Sequence, residues 1–97
     1  MALFAVIRRR TAAWDMSRPM EEQNGWRAHA DYMDALYEEG FFALVGPLEG
    51  SRDVLLIVRA RDAEEIERRL GDDPWSSGLL ETTRIAPWTL RLGSLGG

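Results

Sequence analysis

The sequence predicts an α+β domain of the ferredoxin-like type, βαββαβ, with an antiparallel sheet and two helices on one face. Three observations lead there. Short runs rich in β-formers alternate with two stretches of helical periodicity, in the order strand, helix, strand, strand, helix, strand. A length of 97 residues leaves room for a single domain, spanning 1–97. Apolar residues at 45 % and charged residues at 29 % suit a folded core rather than a disordered chain.

Each element has its own signal. Residues 2–7 (Ala-Leu-Phe-Ala-Val-Ile) form an apolar run that reads as a strand ended by Arg8-Arg9-Arg10. Residues 11–18 are polar and read as a loop, with Trp14 exposed in it. Pro19 suits a helix start and Gly40 a position just beyond a helix end. Between them Trp26, Ala30, Met33 and Tyr37 recur at helical spacing, and Arg27, Asp31, Asp34 and Glu38 share the opposite side, which predicts a helix over 26–39. Residues 41–45 and 54–58 are strands joined by a loop that contains Gly46-Pro47 and Gly50. Asp62 with Glu65 resembles a capping box, and Ala63, Ile66 and Leu70 form the buried stripe of a second helix that Gly71 ends. A loop over 72–78 leads to a last extended segment near 81–92, which Pro87 marks as an edge or bulged strand. Residues 93–97 read as a flexible tail.

Composition narrows the chemistry. The chain has no cysteine and one histidine, His29, which removes disulfides, thiolate nucleophiles and sites needing two imidazoles. Every basic residue is Arg, so lysine Schiff-base chemistry is excluded. A net charge of -4 argues against nucleic acid or an anionic membrane as partner. No run approaches the roughly 20 apolar residues of a membrane-spanning helix, and the first residues lack a signal-peptide core, so a cytoplasmic protein is expected. No phosphate loop or dinucleotide fingerprint is present, and Asp72-Asp73 with one histidine falls short of a metal site, so neither cofactor nor metal is expected.

Strand patterning bears on assembly. Residues 2–7, 41–45 and 54–58 are apolar at odd and even positions alike, so both faces of the sheet ask for cover. Two helices cover one face; a second copy of the chain is the economical cover for the other. A homodimer through the sheet faces is therefore expected.

Connectivity also says where polar groups meet. With strand 1 running upward, Arg8–Arg10, the loop holding Trp14 and Arg18, the start of helix 1, Gly46-Pro47 and Asp73-Pro74-Trp75 gather at the top, and Trp88 is assigned there too. Arginines and aromatics around a concave edge suit a small-molecule pocket. His29 lies at the margin of the buried stripe of helix 1. It reads either as a satisfied core histidine or as a general acid/base, because imidazole titrates near neutral pH. Asp73 reads either as a turn-capping residue before Pro74 or as the carboxylate that orients that imidazole. Arg8 and Arg18 are candidates for gripping a substrate carboxylate; Gly46, Pro47, Trp75 and Trp88 are candidate pocket walls. Arg27 belongs with the solvated face of its helix. Ser76 and Ser77 lack the Gly-x-Ser-x-Gly setting of a serine nucleophile.

Arg27-x-His29, Leu36-x-x-x-Gly40, Gly46-Pro47, Asp73-Pro74-Trp75-x-x-x-Gly78-Leu79 and Ile85-x-Pro87-Trp88, in this order, resemble the YciI-like family over nearly the whole chain. The resemblance implies the dimeric α+β barrel version of the ferredoxin-like fold. It also implies an active site built on a His–Asp pair, here His29 and Asp73, with lyase, isomerase or hydrolase chemistry on a small organic molecule. Trp14 and residues 21–25 depart from the family pattern at the pocket mouth. The alternatives are a non-catalytic metabolite-binding or assembly module, which expects His29 and Asp73 out of hydrogen-bond reach, and a cofactor-free monooxygenase of a related barrel.

Overall fold

Strand alternation continues past the apolar run. In the computed structural model, which describes residues 2–95, strand β1 (Ala2–Arg10) keeps its period of two through the arginines. Phe4, Val6 and Arg8 are buried, while Leu3, Ala5 and Ile7 on the other side are half-buried. The remaining elements are α1 (Trp26–Glu38), β2 (Phe42–Pro47), β3 (Asp53–Ala60), α2 (Ala63–Gly71) and β4 (Leu80–Pro87), with short 3-10 turns at Met20–Glu22 and Pro74–Ser77. The sheet is antiparallel throughout, in the order β2-β3-β1-β4. This is the ferredoxin-like arrangement.

The arginine triplet does not end β1 because each residue has somewhere to go. Arg9 pairs with Asp53 across the β3 register, and Arg10 lies opposite Leu80 of β4. Gly46 and Pro47 are the last residues of β2 rather than its turn. Pro47 is tolerated because β2 is an edge strand, and Pro87 closes the other edge strand, β4. Two irregularities set which side chains face the helices. The β1–β4 register shifts between Ile7 and Arg8, skipping Thr83, and the β2–β3 register shifts past Ala43. The second shift puts both Phe42 and Val45 opposite core-facing residues, Val58 and Leu56.

Both helices are placed by local rules. Gly25 precedes α1 at φ 79, and a Cβ there would come within 3.3 Å of the Trp75 indole nitrogen, so the position needs glycine twice over. Gly40 follows α1 at φ 86, where the helix hands over to Phe41. At α2 the Asp62 carboxylate accepts from the Glu65 N–H at 2.9 Å, while Glu65 reaches back one residue further than a capping box requires, to the Arg61 N–H at 2.8 Å. Leu36 of α1 and Ile66 and Leu70 of α2 close over Phe4, Val6, Phe42, Leu56 and Val58 to form the main core.

A second cluster at the top of the sheet joins Trp14, Trp75 and Leu80, with Trp26 and Leu79 against it. Trp14 is therefore buried, not exposed. The loop folds back because Thr11 N–H donates to the Leu79 carbonyl at 3.0 Å and the buried Gln23 amide ties Asp15 and Arg18 together, donating to their carbonyls at 2.7 and 3.0 Å. Trp88 is the second correction. β4 descends from Leu80, so Trp88 follows its lower end, where its N–H donates to the Leu3 carbonyl at 2.9 Å.

The face of the sheet away from the helices carries Leu3, Ala5, Ile7, Leu55 and Ile57, so β1 and β3 are apolar on both faces. Ala5, Ile7, Leu55, Ile57, Ala86 and Trp88, together with Arg84, surround a shallow, largely apolar concavity on it. The expected tail of 93–97 shows no regular structure over 93–95, and residues 96 and 97 lie outside the described residues. Among the described residues no helix is long and apolar enough to cross a membrane.

Candidate active site

Three elements meet at the top of the sheet to bury one carboxylate. Asp73 follows α2 and opens the Pro74–Ser77 turn, with Pro74 at the first position and the Trp75 N–H donating to its Oδ1 at 3.1 Å. The capping role is thus real, and it leaves most of the carboxylate free. Arg8 of β1 donates through Nη1 to Oδ2 at 2.7 Å. His29 of α1 presents Nδ1 at 2.8 Å from Oδ1 and 2.9 Å from Oδ2. Asp73 and Arg8 are 2 % and 1 % exposed, so this is an ion pair taken out of water, which holds only because every charge has a partner.

Burial pushes the Asp73 carboxyl toward its neutral form, but the hydrogen bonds from His29, Arg8 and the Trp75 backbone outweigh it and hold the group below the usual Asp value. An ionised Asp73 accepts and does not donate, so the hydrogen of the imidazole sits on Nδ1. The other ring nitrogen, Nε2, makes no hydrogen bond among the described residues, and in a neutral imidazole with its hydrogen on Nδ1 it carries the lone pair.

The ring is held on its face as well. His29 stacks on Trp75 with centroids 3.8 Å apart and planes within 10°. Trp75 is fixed in turn by its indole N–H donating to the Asn24 carbonyl at 2.6 Å and by an edge-on contact with Trp14 at 5.2 Å. A histidine fixed in plane by a carboxylate and across its face by an indole has one orientation, which is what a general acid or base requires.

Beside it lies a cavity of about 160 Å³ whose walls include Arg8, His29, Gly46, Pro47 and Trp75. Five of the eight residues proposed for the site from sequence therefore converge on one recess, with Asp73 bonded behind His29. The binding-module alternative expected His29 and Asp73 out of reach; they are in direct contact. Two residues stand elsewhere. Arg18 is exposed on the outer loop, paired with Asp15 at 3.4 Å, and borders a separate recess with Glu22 and Gln23. Trp88 lies on the opposite face of the sheet. Arg8 lines the cavity, but its guanidinium fork is directed at Asp73 through Nη1 and at the Ser76 hydroxyl through Nη2, not at the open space. Ser76 passes its own hydrogen to the Leu70 carbonyl, which ties the end of α2 to the same network.

Arg10 and Trp14, which connectivity placed at this end of the sheet but which were not named among the candidate site residues, also line the cavity, with the Arg10 guanidinium 4.5 Å above the Trp14 ring. The signal for Arg10 was the strand period: it lies two residues beyond Arg8 and four beyond Val6, on the same side.

A family model, the YCII-related domain, matches residues 1–89. Among solved structures, the chain is similar to 5-chloro-2-hydroxyhydroquinone dehydrochlorinase from Burkholderia phenoliruptrix AC1100, in complex with 2,5-dihydroxybenzoquinone. The TM-score is 0.60 at 21 % identity, covering 94 % of this chain and 95 % of that one, a likeness of fold. No curated protein matches.

Proposed function

The chain belongs to the family of YCII-related domains, and from that premise we propose that it is an enzyme that moves a proton on a small organic molecule, with His29 as general acid/base and Asp73 as the carboxylate that orients it. One observation carries the reading: His29 lines the cavity with its Nδ1 engaged by Asp73, while its Nε2 makes no hydrogen bond among the described residues. Nε2 takes a proton from a carbon or oxygen acid in the cavity; the imidazolium so formed is stabilised by Asp73 and returns the proton to the product or to the departing group. Elimination and isomerisation both fit this sequence. The structural neighbour's printed activity, a dehydrochlorination, is of the elimination type: a proton and a chloride leave.

The test follows the proton. Purified protein is incubated in D2O with one-ring phenols, chlorinated hydroquinones and short keto acids, and carbon-bound deuterium and released chloride are measured. Exchange or chloride release above the protein-free control is expected with at least one of these classes. Rates equal to the control with all of them would sink the reading.

The same reading takes the molecule as a homodimer through the open face of the sheet. The half-buried Leu3, Ala5, Ile7 and Leu55 give it a largely apolar surface, with Arg84 at the same concavity, and a second copy presents a matching one. Light scattering is expected to give twice 11.0 kDa at micromolar concentration. A monomer would refute the dimer without touching the acid–base site.

A further inference from the structure

We propose that the cavity beside His29 takes a single six-membered ring carrying one negative charge, with Arg10 as the counter-ion of that charge. The inference names the ligand class of the site described above and rests on that reading for its chemistry, though not for its binding.

Size sets the ring. The cavity measures about 160 Å³; an apolar protein cavity of about 150 Å³ is known to hold one benzene. A fused bicycle is too large unless much of it stays outside. The walls suit a ring as well, since Trp14, Met33, Val45 and Pro47 present apolar surface and, among the described residues, no carboxylate lines the space.

Charge sets the anion. Three polar side chains reach the cavity: Arg8, Arg10 and His29. The charge of Arg8 is matched by Asp73 at 2.7 Å, although its Nε, like that of Arg10, is buried without a hydrogen-bond partner among the described residues. Arg10 has no acidic partner among the described residues. Its guanidinium rests on the Trp14 face at 4.5 Å, and its Nε is buried without a hydrogen-bond partner. A cation held against an indole, beside an apolar recess and with an unmet donor, is an arrangement that a bound anion completes. Among the permanently charged groups the count is one: Arg8 and Asp73 cancel, and Arg10 leaves a single positive charge beside the imidazole. Arg8 and Arg10 project from the same side of β1 one strand repeat apart, so an anionic group at Arg10 sets the ring between that arginine and the imidazole anchored behind Arg8. The ligand is a benzoate- or phenolate-like monoanion whose ring carbons face Nε2.

Benzoate and benzamide share a shape and differ in charge, so they isolate the claim. By isothermal titration calorimetry benzoate is expected to bind about tenfold or more tightly than benzamide, the effect of one charge-assisted contact. In Arg10→Met, which keeps an unbranched stem over Trp14, benzoate is expected to weaken to the level of benzamide, with benzamide changed by less than about twofold. Arg10→Lys, which restores the charge without the fork, is expected to recover part of the preference. Equal affinities in the parent protein, no binding of benzoate, or a preference that survives Arg10→Met would each overturn the proposal. A parent protein that prefers benzoate but exchanges no proton with any of the test compounds would count against the acid–base reading alone, so the two ideas fail separately.

Discussion

Replacement of His29 by Asn is expected to lower turnover by about 10²–10⁴-fold, the usual worth of a positioned acid or base, while the fold stands. Asn is the informative choice because its side-chain amide places an N–H donor close to where imidazole Nδ1 lies. The buried Asp73 carboxylate then keeps a full set of donors: the amide, Arg8 Nη1 at 2.7 Å and the Trp75 N–H at 3.1 Å. What disappears is Nε2 and the face stacked on Trp75 at 3.8 Å. Far-ultraviolet circular dichroism is expected to match the parent, and the melting temperature to fall by only a few degrees, in keeping with the loss of one ring contact of about 1 kcal/mol. The kinetic loss should fall on kcat rather than on KM, because the imidazole acts on the proton in flight and the cavity walls do the binding. An Asn variant with parental kcat would remove His29 from the chemistry and leave the ring as packing.

Much of this architecture is legible in the chain itself, for a physical reason. The apolar runs at 2–7 and 54–58 and the helical spacing of Trp26, Ala30 and Met33 are local signals, and the elements formed where those signals lie. Connectivity alone then sends the loops after β1 and α2 to the same end of the sheet, which is why His29 and Asp73 could be paired across 44 positions of sequence. Buried charge is not legible in this way. Arg8-Arg9-Arg10 looks like a solvated stop because three guanidiniums in a row are costly to bury, and the one that is buried is paid for by a carboxylate 65 residues away. Trp14 fails for the converse reason: a lone aromatic in a polar loop has no period to reveal its partners, and those are Trp75 and the Arg10 cation. The register shifts at Thr83 and Ala43 leave no mark in composition, yet the shift past Ala43 keeps Val45 on the side of the sheet that walls the cavity.

Asp73→Ala is expected to cost about 3–5 kcal/mol of stability, because it strands a buried guanidinium. Arg8 is 1 % exposed, and its Nη1 has no acceptor other than Asp73. For a domain of this length such a loss lowers the melting temperature by roughly 15–30 °C. Arg8→Met removes the other partner and should cost less, since the remaining carboxylate retains His29 and the Trp75 N–H. The two changes are not additive. Once either charge is gone, removing the second relieves an unpaired ion, so Arg8→Met/Asp73→Ala should be more stable than the sum of the single losses by about 2 kcal/mol or more, read from urea unfolding. Acid supplies an independent check. The folded state holds Asp73 below the usual Asp value of 3.8, so the unfolded chain binds the extra proton first. The stabilisation this group contributes is whole above that value and is lost as pH falls through it toward the folded one. The parent should therefore lose stability steeply in that acid window, and Asp73→Ala should lose less there. Additive single losses together with an unchanged acid slope would mean that the carboxylate is not the hub on which β1, α1 and the turn after α2 are joined, and the orientation of His29 would then need another cause.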